Sequence, residues 1–470
     1  MLNAKCQVLG QKQAAELFTR IKAYSSADEV EVLFYGGKSA LTRFANNSIH
    51  QNVAEENYGI SVRTAFDGRT ARATTNKFDD ESLKRVVETS ESLAKVQQSD
   101  PDLLPMANAE GGGRARATLA GPSRFFEQTA AITPEQRAEA VKTIVRLATK
   151  HKLTTAGIFS TSESIEGIFN SHGLSQWHTQ TSSEISVTML ADDSSGWQKA
   201  NSPDVQKLDP VTLAETAAKK ALDSAHPKEI TAGKYTVILE PAAVLDIVGF
   251  MFFDFAGLAI LDQRSFLNNR VGTKIFGENI NIWDDVAHPF QSGVPFDGEG
   301  VSRRKLHLVE NGVVKRLAYA RASAEKMKKS EHQDKVGPIE ATGHGFPIPN
   351  EMGEAPMNIV FGSPQNPKTV EQMIASMERG VLVTRLWYIR EVDPYEKILT
   401  GMTRDGTFYV EDGKIRHGVR NFRFNESLIH ALSNVEEMGT PVRASGEESF
   451  DMVVPAMKVR EFNFTEVTKF

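Results

Sequence analysis

The chain has a single cysteine, Cys6, among 470 residues. One thiol excludes an internal disulfide and any zinc site built on several cysteines, and such scarcity fits a reducing, cytoplasmic compartment. Charge of one sign is also scarce. There are 54 basic residues against 60 acidic ones, a net charge of −6, and Lys and Arg never run beyond a few positions. A nucleic-acid footprint needs clustered positive charge, so no nucleic acid is expected as a partner. Long apolar runs are missing with one exception, Ala242 to Leu261, which carries Asp246 and Asp254. Each carboxylate would cost about 2.5–3.5 kcal/mol at a bilayer centre, so the run reads as a helix buried in a protein core and no membrane is expected. Met1 to Gly10 lack the charged and apolar regions of a signal peptide. What remains, 40% hydrophobic and 24% charged, is the composition of a globular chain.

Periodicity divides that chain in two. In the first part Gln13–Tyr24 has apolar residues at helical spacing, and Glu29–Tyr35 alternates Val30, Val32 and Phe34 as a strand does. Thr42–Gln51 and Tyr58–Ala65 read as further strands. Asp67-Gly68 marks a hairpin, because a type I′ turn needs positive φ at both central positions. Asp79–Val96 is amphipathic, and Thr133-Pro134 with Gln136 forms a capping box at a second helix. Between these helices, residues 98–124 hold three prolines and Gly111-Gly112-Gly113, predicting a mobile loop, either a surface insertion or a flap over a cleft. Leu213–Ser224 is a third helix, and His226-Pro227 ends the part. The second part opens on strand Lys234–Leu239, then the buried helix, then mostly strands. Asn311-Gly312 and Asp412-Gly413 join two more hairpins, and short helices are predicted at Ala322–Lys328, Val370–Ser376 and Glu426–Asn434. The expected fold is α+β in two domains. Residues 1–228 form a mixed α/β sheet domain and residues 229–470 a mainly β domain with one buried helix.

The chemistry is harder to find. No phosphate-binding loop, dinucleotide fingerprint, C-x-x-C, G-x-S-x-G or H-E-x-x-H is present. His332, Asp334 and His344 fall close together, with His344 between two glycines, as either metal ligands or solvated loop residues. His172 and His288 read as turn residues. Asp246 and Asp254 lie eight positions apart, about 80° apart on a helix, and either act as a carboxylate pair or are each paired, with Arg264 or Arg270 as partner. Arg385, Arg390 and Arg404 accompany Trp387 and Tyr388 along a strand and turn. They line a cleft that grips a peptide backbone or carboxylate, or they form a cross-strand ladder.

Several segments taken in order resemble one family. They are Thr42 to Gln51, Gly59 to Arg63 followed by Asp67-Gly68-Arg69, Asn170 to Gly173, Gly233 to Pro241, Ser265 to Leu267, Asp297 to Gly300, and Thr400 to Gly406. Together they resemble the TldD/PmbA family, also called modulators of DNA gyrase, along nearly the whole chain. The resemblance implies a dimer enclosing a peptide-sized cavity, and in catalytic members an H-E-x-x-x-H zinc motif on the helix after the boundary strand. There two histidines and a third ligand would hold zinc while the Glu serves as general base. Here that motif falls at Gly249 to Asp254, with Gly249 and Phe250 in place of the first His and the Glu, and Asp254 in place of the second His. The chain therefore looks like the PmbA, or TldE, branch: a subunit with no cofactor of its own, paired with a zinc-bearing TldD-type subunit or with itself. The expected function is the non-zinc subunit of a cytoplasmic metallopeptidase complex that processes or degrades small or unfolded peptides, with Asp246, His344, Arg385, Trp387, Tyr388, Arg390 and Arg404 as candidates for its peptide cleft. Two alternatives stand beside it. One is an autonomous metallopeptidase with a displaced site of Asp246, Asp254 and His344, and the other is a non-catalytic peptide-binding or regulatory homodimer.

Overall fold

The computed structural model describes residues 9–109 and 123–468. Its first half is one antiparallel sheet of six strands, β1 Glu29–Ala45, β2 Ser48–Phe66, β3 Arg69–Thr75, β4 Thr154–Asn170, β5 Ser175–Leu190 and β6 Ser195–Ser202, in the order β3-β2-β1-β4-β5-β6. Glu29–Tyr35 and Thr42–Gln51, predicted as separate strands, share the continuous β1, and Thr42–Gln51 straddles a hairpin. Asn46 and Asn47 turn the chain there with φ of 49° and 58°, the left-handed region that Asn tolerates better than most residues. Asp67-Gly68 does the same between β2 and β3, as predicted.

Alternation along the strands gives the sheet two different faces. On one face Val30, Val32, Phe34, Ile60 and Ile165 pack against helices α1 Gln11–Tyr24 and α2 Asp80–Val96. Toward the far end of the same strands Phe44, Phe159 and Ile185 pack against α4 Pro134–Lys150 and α5 Pro210–Asp223, while the short α3 Glu127–Ala130 precedes α4. The Thr133–Gln136 capping box forms as predicted. The opposite face meets the second half, where Leu33, Ile168 and Leu174 pack with Val294, Phe296 and Ala107. Ala107 belongs to the predicted loop 98–124. Residues 110–122 of that loop lie outside the described residues, and both flanks are anchored. Asn170 Nδ2 donates to the Ala107 carbonyl at 2.7 Å, and the Arg124 guanidinium donates to the carbonyls of Val286 at 2.9 Å and His288 at 2.8 Å.

The second half holds two sheets. Strands β7 Gly233–Leu239, β12 Arg379–Asp393, β13 Ile398–Glu411, β15 Phe422–Ser427 and β19 Met457–Val467 pair in the order β12-β7-β19-β15-β13, and β13 pairs back with β12. The five strands therefore close into a ring. β14 Lys414–Gly418 extends β13, and β16 Val435–Met438 extends β19. The other sheet takes β8 Ile282–Asp284, β9 Leu306–Glu310, β10 Val313–Val314, β11 Ile359–Phe361, β17 Val442–Ala444 and β18 Met452–Val454. The Asn311-Gly312 and Asp412-Gly413 turns sit where predicted.

Between ring and sheet runs the apolar segment that sequence reads as one helix. It is three pieces: α6 Pro241–Val248, a 3₁₀ segment Gly249–Phe255, and α7 Gly257–Leu261. Winding at three residues per turn puts Phe252 and Phe255 on one side, both fully buried. The second break has a tertiary cause. Ala318 N donates to the Phe255 carbonyl and Gly257 N donates to the Ala318 carbonyl, both at 2.8 Å, pulling the chain into a β-bridge. The remaining helices, α8 Arg321–Lys328, α9 Val370–Ala375 and α10 Leu428–Ser433, lie close to prediction, except that Glu426 belongs to β15. No described helix is long and apolar enough to cross a membrane.

Candidate functional site

The three zinc-motif positions are closed by this chain's own side chains. Gly249 is buried, and a Cβ added to it would run into Ser449, so nothing larger than glycine fits without moving that residue. Phe250 is half-buried and offers no ligand atom. Asp254 is buried and ion-paired, with Lys397 Nζ 2.5 Å from its Oδ2, while its Oδ1 accepts from Phe266 N at 3.1 Å. Lys397 Nζ also lies 2.7 Å from Glu391 Oε1, and its side chain is only 4% exposed. Burial raises the Asp254 carboxyl above its ordinary value, and the Lys397 charge works against that. Neither Arg264 nor Arg270, the partners considered from sequence, reaches it: Arg264 pairs with Asp262, and Arg270 with Glu396.

Asp246, eight residues earlier in α6, faces β12. Its Oδ2 accepts from Leu386 N at 3.1 Å, while Glu448 accepts from Tyr388 N at 2.8 Å and from Ile389 N at 3.2 Å. The pairing of β12 with β13 is irregular between Trp387 and Arg390, and Tyr388 has a φ of 55°. Two carboxylates from other segments thus take up amide groups that the bulged strand presents. Asp246 and Asp254 form no pair, since the break after Val248 removes the single-helix geometry behind the 80° estimate.

Two of the three arginines form the ladder, while Arg390 lies opposite Thr400. Arg385 and Arg404 are cross-strand neighbours on β12 and β13. Arg385 is buried and forks onto Asp405, with Nε donating at 2.7 Å. Its guanidinium lies 4.6 Å from the Trp197 ring centre and 5.4 Å from that of Trp387, and Arg404 covers Trp387 from 4.7 Å. The fork that would hold a ligand carboxylate is filled by Asp405, which also accepts from Ser195 Oγ at 2.6 Å. Tyr388 is exposed, and Arg390 stacks on it at 4.5 Å. Asp246, Arg385, Trp387, Tyr388, Arg390 and Arg404 therefore share one neighbourhood.

His344 does not join them. Its Nε2 lies 3.1 Å from Asp284 Oδ1, both side chains fully buried, and its Nδ1 bonds Thr342 Oγ1 at 2.9 Å. Asp284 Oδ2 accepts from Met357 N at 2.8 Å and Asn358 N at 2.7 Å. Burial alone would raise the Asp284 carboxyl; His344, Arg303 and the Asn358 amide outweigh it and hold the group below its ordinary value. The proposed trio of Asp246, Asp254 and His344 is thus distributed over three separate partnerships. Among the described residues no three His, Cys, Asp or Glu side chains converge as metal ligands, and His332 stands beside Glu331 rather than His344. His172 and His288 lie in turns as expected, His288 Nδ1 accepting from Phe290 N at 3.2 Å.

Asp246 sets a pH test. Burial pushes its carboxyl up to about 7, against the Leu386 amide and the Arg385 charge. Protonated in the fold but ionised when unfolded, it adds stability that is fully present below about 4 and lost as pH rises through about 7. Asp246→Asn keeps an acceptor for Leu386 N without the titration. Its urea midpoint, compared with the parent's at pH 5 and pH 8, is expected to gain on the parent at pH 8. An identical pH trend in both proteins would overturn the assignment.

Residues 232–466 match the family model for the PmbA/TldA metallopeptidase C-terminal domain, residues 30–94 that for its domain 1, and residues 127–225 that for its central domain. The chain belongs to the PmbA/TldD metallopeptidase family. It is similar to the metalloprotease PmbA of Escherichia coli O157:H7, 21% identical over 93% of this chain and 92% of that protein. Its fold is similar to the crystal structure of TldE from Thermococcus kodakarensis, with TM-score 0.82 and 19% identity over 96% of this chain and 100% of that one. It is also similar to that of a proposed DNA-gyrase modulator from Thermotoga maritima, with TM-score 0.81 and 19% identity over the same shares. Against the PmbA/TldD zinc motif the residues present do not fit a metal. The first position is filled by Ser449, the second is a phenylalanine, and the third already neutralises a lysine. The motif positions were legible by counting from Pro241. Lys397, Glu391 and Glu448 were not: Lys397 and Glu448 come from loops with no periodic signal, and Glu391 lies in the irregular end of β12. Asp405 lay inside the Thr400–Gly406 motif without a role attached to it.

Proposed function

We propose that this chain is a PmbA/TldE-type subunit that supplies structure and peptide-binding wall to a cytoplasmic metallopeptidase complex, while a TldD-type partner supplies the zinc. One observation supports the reading: Ser449 and Lys397 occupy the space and the charge that a metal and its ligands need, which favours a zinc supplied by another chain. The exposed rim of the β12 bulge, Tyr388 with Arg390 and the half-exposed Arg404 beside Trp387, is the part of the predicted cleft still open to a peptide. Small or unfolded peptides are the substrate class, and the net charge of −6 argues against nucleic acid as a partner.

The test is zinc per chain and cleavage of a mixed peptide pool, measured on the purified chain alone and after mixing with a TldD-type subunit. The expected result is no stoichiometric zinc and no cleavage alone, and cleavage in the mixture. Stoichiometric zinc with cleavage by the isolated chain would overturn the proposal.

A further inference from the structure

A cavity of about 590 Å³ lies in the seam between the two halves, apart from α6, the 3₁₀ segment and β12. That volume is within the ~300–1,000 Å³ of small-ligand pockets. The sheet face of the first half supplies one wall, where Tyr35 on β1 and Glu166 on β4 are cross-strand neighbours. The other wall comes from loops of the second half and carries Arg303, Asn358 and Phe346.

Most charges near this seam are already matched. Arg72 Nη2 lies 2.6 Å from Glu31 Oε1, and its Nε donates to the Ile348 carbonyl at 2.8 Å; His344 is held by Asp284. Two are not. Glu166 makes no ion pair among the described residues and is open to solvent at the cavity wall. Partial desolvation there pushes its carboxyl above the ordinary value, and the Arg303 charge opposes the shift. Arg303 donates to Asn358 Oδ1, and although its charge is felt by Asp284, no carboxylate lies within ion-pair distance of it among the described residues. Both groups line the cavity, and they lie beyond ion-pair distance of each other. Between them the wall is largely apolar, with Leu33, Val294, Phe296 and Met357. Tyr35 lies over Gly59, where an added Cβ would run into its ring, so the phenol is braced on the sheet.

From this arrangement we infer that the seam cavity binds a short zwitterionic peptide, its terminal carboxylate on Arg303, its terminal ammonium on Glu166, and an apolar side chain against the wall between them. Arg matches a carboxylate with a planar fork, and a carboxylate at the opposite end selects the ammonium. A ligand bearing both charges completes two groups that either charge alone would leave half-satisfied. The inference concerns the isolated chain and is independent of whether a zinc-bearing partner exists.

The test is isothermal titration of the full chain with the dipeptide leucyl-phenylalanine, with its N-acetylated form and with its C-terminal amide. The parent is expected to bind the free dipeptide at least tenfold more tightly than either blocked form. In Glu166→Gln the penalty for acetylation disappears, and in Arg303→Gln the penalty for amidation disappears; each variant is first checked for an unchanged melting temperature. The comparison of blocked and free ligands on the parent needs no variant, so a variant that misfolds does not end the test. Absence of binding, or equal affinity for all three ligands on the parent, overturns the inference and leaves the zinc and cleavage measurements unaffected.

Discussion

Lys397→Ala lowers the free energy of unfolding by about 3–5 kcal/mol, the range seen when one partner of a buried ion pair is removed. Lys397 is 4% exposed and holds both Asp254 at 2.5 Å and Glu391 at 2.7 Å. Without it, Asp254 stays buried as an unpaired carboxylate, while Glu391, 31% exposed, can turn to water. The double change Lys397→Met with Asp254→Leu is therefore expected to regain most of the loss, because an apolar pair of similar volume avoids the desolvation of both charges. Urea unfolding of the three proteins decides it. A loss below about 1 kcal/mol for Lys397→Ala, on the scale of exposed ion pairs, would show that this lysine is not the cation that settles the site.

Arg385→Ala is the second large effect, about 3 kcal/mol, at the low end of that range because Asp405 would lose its fork and keep only Arg404 at 3.6 Å. Its signature differs from that of Lys397→Ala. Arg385 fills the space between Trp197, on β6 of the first half, and Trp387, on β12 of the second, while Asp405 takes the hydroxyl of Ser195. Removing it loosens a contact between halves, so acrylamide quenching of tryptophan fluorescence is expected to rise as Trp197 becomes accessible. Arg385→Lys restores the charge but not the fork or the stacking, and regains only part of the stability. If Arg385→Ala left both stability and quenching unchanged while weakening peptide binding, the residue would belong to an open cleft after all.

These two lysine and arginine sites show where sequence reading succeeds and where it stops. Local signals were legible wherever a residue type is demanded by the backbone. Asp67-Gly68, Asn311-Gly312 and Asp412-Gly413 all turn with positive φ, and Thr133 with Gln136 caps its helix. Asn46-Asn47 turns the chain equally sharply but lacks a glycine, so the strands on either side were divided in the wrong place. The apolar run after Pro241 was legible as buried and not as broken, because its second break is made by bonds to Ala318. The same holds at the site. Gly249, Phe250 and Asp254 could be located by counting, and Asp246 and Arg385 singled out by type. What each does is set by Ser449, Lys397, Glu448 and Asp405, whose approach depends on how the ring and the second sheet close around α6.

That closure has a bearing on how a peptide can be held. A peptide that binds as an added strand needs a row of unpaired amide and carbonyl groups. Within the ring of β12, β7, β19, β15 and β13 each strand has a neighbour on both sides, so a sixth strand enters only by displacing one already there. Peptide recognition through main-chain pairing is thereby confined to the outer strands, such as β3, β14 and β17, or to the interval between Trp387 and Arg390 where the β12–β13 register slips. Elsewhere on the ring a peptide must be gripped by side chains alone, which makes its sequence, rather than its backbone, what the ring can read.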